Sequence, residues 1–145
     1  VMRQVKEALE PMLRETRGRI ETGPLPVVTG DARLLHQALH NLVANGLAFA
    51  RRDVPPVVKV VASQDATVDQ IHVCDNGIGI AEEHQSAIFD VFSRLNNRRQ
   101  HDGTGLGLAI CQRIADLHQG RLSVESQPGE GSRFTLHLPV VGERN

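Results

Sequence analysis

Val68-Asp69-Gln70-Ile71-His72-Val73-Cys74-Asp75-Asn76-Gly77-Ile78-Gly79 reads as an apolar strand that ends in a carboxylate followed by glycines. Side chains alternate along a strand, so Ile71 and Val73 share one face and Asp75 continues it. Asp75 is thereby aimed at the buried layer of an α/β fold. A lone carboxylate there is costly unless something hydrogen-bonds to it. The exocyclic amine of adenine is a suitable donor, and Gly77 and Gly79 would let backbone come close to a flat base. Taken alone, the stretch reads equally well as a strand-ending turn, because Asp and Gly are common turn residues.

Outward from this strand the rest of the fold follows. Val57 to Ala62 is a second strand, joined to the first as a hairpin by a turn around Ser63 to Thr67. Before it, Leu34, Leu35, Ala38, Leu39, Leu42, Val43 and Leu47 form the wide stripe of a largely buried helix, with Asp31 as its N-cap. Residues 1–15 place Val5, Leu9, Met12 and Leu13 at helical spacing, and 17–22 allow a short strand. Short helical pieces are expected over residues 81–92, around Ile88, Phe89, Val91 and Phe92. The polar stretch 93–102 has no periodicity and reads as a loop. Leu106, Ala109, Ile110, Ile114 and Leu117 predict another helix, capped by Gly120. Strands over 121–126 and 132–139 then close a second hairpin at Pro128-Gly129. The order predicts an α/β two-layer sandwich in which helices cover one face of a mixed sheet.

Composition bounds the function. The 145 residues suit one domain, with 40% hydrophobic and 23% charged residues. Four Phe and no Trp or Tyr argue against a base-stacking surface for nucleic acid, as does a net charge of −1. No apolar run is long enough to cross a membrane and no signal peptide is visible, so direct membrane contact is not expected. Cys74 and Cys111 lack CxxC spacing and read as buried, reduced thiols of a cytoplasmic protein. The chain opens inside a helical pattern at Val1, as a piece of a longer protein would.

Two further groups carry chemistry. Gln37, Asn41 and Asn45 lie four apart and stack on one helix face. Asn45 can offer a side-chain oxygen to Mg²⁺, which prefers few protein ligands plus phosphates and water; a solvated face is the plainer reading of any one Asn. His36 and His40 are also four apart, with no third ligand evident. The segment Gly103-Thr104-Gly105-Leu106-Gly107-Leu108 runs into a helix, whose N-terminal N–H groups favour anions. It lacks the Gly-Lys-Ser/Thr of a Walker loop and does not follow a strand as a dinucleotide fingerprint would. The loop at 93–102 could close over a nucleotide, with Arg94, Arg98 and Arg99 as candidate phosphate contacts.

Four pieces stand in a fixed order: Leu35 to Asn45, Asp75 to Gly79, Ile88 to Leu95, and Gly103 to Leu108. They resemble the N, G1, F and G2 boxes of bacterial sensor histidine kinases, and 129–139 resembles that family's last strand. The neighbourhoods of Arg94-Leu95-Asn96 and Pro55-Pro56 are similar to kinases attached to phytochrome photosensors. The resemblance implies the Bergerat fold: a mostly antiparallel mixed sheet under three main helices, binding ATP with Mg²⁺. It implies that Asp75 reads the adenine amine, that Asn45 holds Mg²⁺, and that Gly103, Gly105 and Gly107 shape the phosphate loop with Thr104, Leu106 and Leu108. Ser132 shares a strand face with Phe134 and Leu136 and would join the adenine network through water.

In the ATPases of the wider superfamily a Glu stands four residues before the Mg²⁺-binding Asn and activates water. Here that residue is Asn41, and an amide is a poor general base. The resemblance therefore implies transfer of the γ-phosphoryl to a histidine, with a response regulator downstream. None of the seven histidines lies in a phosphoacceptor context, so that histidine would belong to a separate dimerisation domain. Alone, the fragment would bind ATP without phosphorylating itself. One departure is Ala48, where many members carry Lys or Arg on phosphate. Arg51 or Arg52 compensates, or ATP binds more weakly. A degenerate regulatory module and a true ATPase are the alternatives.

Overall fold

The computed structural model describes residues 1–26, 28, 30–85 and 105–140; the side chains of His84, Gly105 and Leu106 are outside that description. The elements in chain order are α1 Met2–Ala8, α2 Glu10–Thr16, β1 Arg19–Thr22, α3 Ala32–Ala48, β2 Val57–Gln64, β3 Val68–Asp75, α4 Glu82–Gln85, α5 Gly105–Leu117, β4 Arg121–Gln127 and β5 Gly131–Pro139. The sheet order is β1-β2-β3-β5-β4, with β1 parallel to β2 and every other pair antiparallel. The α/β sandwich expected from the sequence is the fold. Of the helical pieces expected over residues 81–92, α4 Glu82–Gln85 is one; residues 86–92 and the loop at 93–102 lie outside the described residues.

The first helix differs from expectation. Residues 1–15 form two helices, because Pro11 sits in the first turn of α2 and has no N–H to continue the ladder of α1. Leu9 serves as the cap of both, and Val5 and Leu9 still reach the core. The helix α3 starts as the sequence predicts: Asp31 Oδ1 accepts from Arg33 N at 2.9 Å and Leu34 N at 3.2 Å. The N–H of Asp31 itself donates to His118 Nε2 at 3.0 Å, which pins the start of α3 to the end of α5.

Gly120 was expected to cap α5, and the cap is a different residue. Gln119 takes the left-handed conformation at φ 61°, while Gly120 N bonds Ala115 O and Gln119 N bonds Asp116 O. This is a Schellman ending with glycine one position later than usual. Glycine is required at 120 because a Cβ there would lie 1.8 Å from His137 O. The end of α2 repeats the pattern, with Arg17 at φ 57° and Gly18 N bonded to Leu13 O.

Leu35, Leu39, Leu42, Val43 and Leu47 of α3 pack on Val58, Val60, Ile71, Val73, Phe134 and Leu136 of the sheet. Each such fully buried aliphatic side chain contributes about 2 kcal/mol. Cys111 of α5 is buried in the same core, its Sγ donating to Ala38 O at 3.4 Å. Cys74, expected to be buried as well, is half-buried, because alternation along β3 turns it away from the face of Ile71 and Val73. Neither cysteine is in a disulfide. The opposite sheet face is polar. There His72 Nδ1 meets Thr135 Oγ1 at 2.9 Å and its Nε2 meets Ser63 Oγ at 3.2 Å. Gln70 Nε2 donates to His137 Nδ1 at 3.1 Å, and His137 Nε2 reaches Ser123 Oγ at 2.8 Å.

Candidate functional site

The site is built where the C-terminal half of α3 lies over the end of β3. Gly46 makes this possible. A Cβ there would stand 2.8 Å from Val58 Cγ2 and 3.2 Å from Asp75 Cβ, so the helix backbone rests directly on the carboxylate-bearing strand. A glycine inside a helix costs about 1 kcal/mol relative to alanine, and here the close approach explains it. Helical periodicity carries no sign of this role.

Asp75 continues the inward face of Ile71 and Val73, as its parity predicts, and is half-buried. It is already bonded: Oδ1 accepts from Gly77 N at 2.9 Å and Ser132 N at 3.2 Å. Burial pushes its carboxyl above the ordinary aspartate value, and those two N–H bonds pull the other way. Ser132 faces Asp75 in the strand register and is itself buried.

The loop after Asp75 is tied on three sides. Ile78 N donates to Phe49 O at the end of α3, and Arg51 Nε donates to Asn76 O at 2.8 Å. Asn76 Oδ1 accepts from Val57 N and its Nδ2 donates to Pro55 O. On the far side Gly129 N reaches Ile78 O, and Ile80 N reaches Ser126 Oγ at 2.7 Å. The two glycines serve these contacts: a Cβ on Gly77 would stand 2.3 Å from Phe49 O, and one on Gly79 2.0 Å from Gln127 O. Their need for close approach is met by the protein's own backbone. Ser126 and Gln85, which donates to both Ile80 O and Ser126 O, were not found in the sequence. They belong to no motif and come together only through the β4–β5 hairpin.

Along α3, Gln37 is exposed, Asn41 is half-buried and Asn45 is buried. Among the described residues, Asn41 Nδ2 and Asn45 Oδ1 are buried without a hydrogen-bond partner. Such orphaned groups are uncommon, and these two offer one donor and one oxygen acceptor on the same side of the helix. Gly107, in the first turn of α5, places its backbone beside Asn41: a Cβ there would lie 3.6 Å from Asn41 Cβ and Cγ. Leu108 is buried in the core. Arg94, Arg98, Arg99, Gly103 and Thr104 lie outside the described residues. His36 and His40 have ring centroids 6.3 Å apart, and no group of three metal-ligating side chains occurs among the described residues.

Two orphaned amide atoms on the helix that rests, through Gly46, on the Asp75 strand make up the candidate site on this sheet order. Residues 30–142 match the family described as histidine kinase-, DNA gyrase B-, and HSP90-like ATPase. The chain belongs to that family, on its histidine kinase branch. It is 41% identical over 132 residues to the phytochrome-like protein Cph1 of Synechocystis, covering 91% of this chain and 18% of that protein. The chain thus spans about a fifth of that relative's length. Among solved structures it resembles full-length ShkA in complex with AMPPNP, at TM-score 0.79 and 30% identity, covering 98% of this chain and 30% of that one. It also resembles the histidine kinase ThkA in complex with the response regulator protein TrrA, at TM-score 0.73 and 26% identity, covering 97% and 39%. Among the described residues no helix is long and apolar enough to cross a membrane.

Proposed function

We propose that this domain binds Mg-ATP between α3 and the end of β3 and gives the γ-phosphoryl group to a histidine on a separate dimerisation domain. The observation that carries it is the buried, unpartnered Asn45 Oδ1 on the helix that rests, through Gly46, on Asp75. A half-buried carboxylate at one end and a buried amide oxygen at the other suit a base amine and a hard cation. Asn45 would hold Mg²⁺, which when bound offsets phosphate charge. Asp75, with Ser132 beside it, accepts from the adenine amine. The first turn of α5, with the glycines from Gly103 to Gly107, supplies N–H groups to phosphate. Asn41 Nδ2 is placed to donate to a phosphate oxygen or a bound water, and its amide takes no proton. In the transfer, the acceptor nitrogen bonds to phosphorus as the bond to the bridging oxygen breaks, leaving ADP.

A second reading has one observation in its favour. Ala48 is exposed and carries no charge, and Arg51 Nε is engaged with Asn76 O. A nucleotide-binding regulatory module without transfer is consistent with that. The ThkA–TrrA complex supports a response regulator as the downstream partner.

The test combines this domain with a dimerisation domain and labelled ATP. An acid-labile phosphohistidine is expected, and Asn45→Ala should abolish it. Nucleotide binding without transfer would support the regulatory reading. Steady ATP turnover by the isolated domain would show a hydrolase and overturn the reading of Asn41.

A further inference from the structure

Ser126 stands at the end of β4, opposite Ser132 in the strand register, as Ser132 stands opposite Asp75. Its hydroxyl has three partners: Ile80 N at 2.7 Å, Gly131 O at 2.9 Å and Ser132 Oγ at 2.7 Å. A hydroxyl has one proton to give and two lone pairs to accept with. Ile80 N can only donate, and Gly131 O can only accept. The Ser126 proton therefore goes to Gly131 O. The contact between the two serines is then satisfied only when Ser132 donates to Ser126. Gln85 holds the backbone of this arrangement by donating to Ser126 O and Ile80 O.

This assignment fixes the polarity of the neighbouring corner. Ser132 has given away its one proton and turns lone pairs toward the site. Asp75, ionised, has only lone pairs, and its Oδ1 is already occupied by two backbone N–H groups.

We propose that Ser126 is a specificity-determining positioning residue: by taking the Ser132 proton, it makes the Asp75–Ser132 corner accept hydrogen bonds and offer none. A 6-amino purine presents N–H groups there and is held. A 6-oxo purine presents a carbonyl oxygen to lone pairs and is rejected, because buried acceptors are left unpaired. Without the Ser126 oxygen, the Ser132 hydroxyl can rotate and donate to that carbonyl. The inference rests on the adenine-nucleotide reading above and adds the source of its selectivity.

The experiment measures ADP and IDP affinities by isothermal titration calorimetry, with melting curves to confirm folding. The unchanged chain should prefer ADP. Ser126→Ala should narrow the ADP-to-IDP preference by about tenfold, mainly through gained IDP affinity. Ser126→Thr should keep the preference. The double variant Ser126→Ala with Ser132→Ala should restore it, because the freed proton is then gone. If Ser126→Ala does not fold, Ser126→Cys, a weak acceptor of similar size, should narrow the preference in the same direction. Equal weakening of both nucleotides by Ser126→Ala, or narrowing that persists without the Ser132 hydroxyl, overturns the proposal and leaves adenine binding intact. An unchanged chain that binds neither nucleotide, or prefers IDP, overturns both.

Discussion

Asp75 shows how much one residue can be read in advance. Parity along β3 was enough to aim it inward, because alternation is a local property of any strand. Its partners were not readable, since Gly77 N and Ser132 N arrive through a turn and a strand 57 residues away. The same limit hid Ser126 and Gln85. The environment of Asp75 also sets an expected trade between stability and binding. Burial raises its folded-state pKa, so ionisation costs stability as pH rises through that value. Asp75→Asn removes the charge and keeps an oxygen for both N–H groups. Thermal melts of the nucleotide-free domain at neutral pH should show a higher Tm than the unchanged chain. The gain should vanish in acid, below the ordinary aspartate range, while ADP affinity is lost at neutral pH. A lower Tm at neutral pH would mean the carboxylate stabilises the fold.

At the scale of the element, α3 does two jobs, and only one was legible. Its apolar stripe and Asp31 cap are periodic and local, so the sequence shows them directly. Its use as a wall of the site depends on Gly46, which in a sequence is an unfavourable residue with no visible purpose. Space decides its value: Val58 Cγ2 and the Asp75 Cβ fill the volume a methyl would need. Gly46→Ala should therefore destabilise by about 1–3 kcal/mol in denaturant unfolding, although alanine is the better helix former. An increase in stability would show that α3 can shift away from the sheet without loss. The break between α1 and α2 has the opposite moral. Pro11 was in plain view, but the apolar spacing of Val5, Leu9, Met12 and Leu13 continues across it.

At the scale of the whole molecule, the two sheet faces respond differently to acid. The face under the helices is apolar apart from its ends. The other face carries His72 and His137, both held as neutral acceptors or donors within one polar ladder. Burial lowers the pKa of each below 6.5, helped by Arg133 at His72 and by Arg121 and His72 at His137. Protonated His137 would turn an N–H toward the amide of Gln70. Depressed imidazole values give stability that is complete above 6.5 and lost as pH falls through the folded-state values. The urea midpoint should fall from about pH 7 to about pH 5.5, and less steeply in His137→Gln. A midpoint that is flat over that range would show that the ladder does not sense protonation.

The two helix endings have a practical side. Arg17 and Gln119 each hold a left-handed backbone that costs an ordinary residue about 1 kcal/mol and a glycine almost nothing. Both next-door glycines are already committed to close contacts, so the chain has left these two positions unoptimised. Gln119 adjoins the His137 end of β5, five residues and roughly 17 Å from Ser132. Glycine there would create a hardened background in which damaging substitutions at the nucleotide end could be compared by what they bind, with every variant still folded.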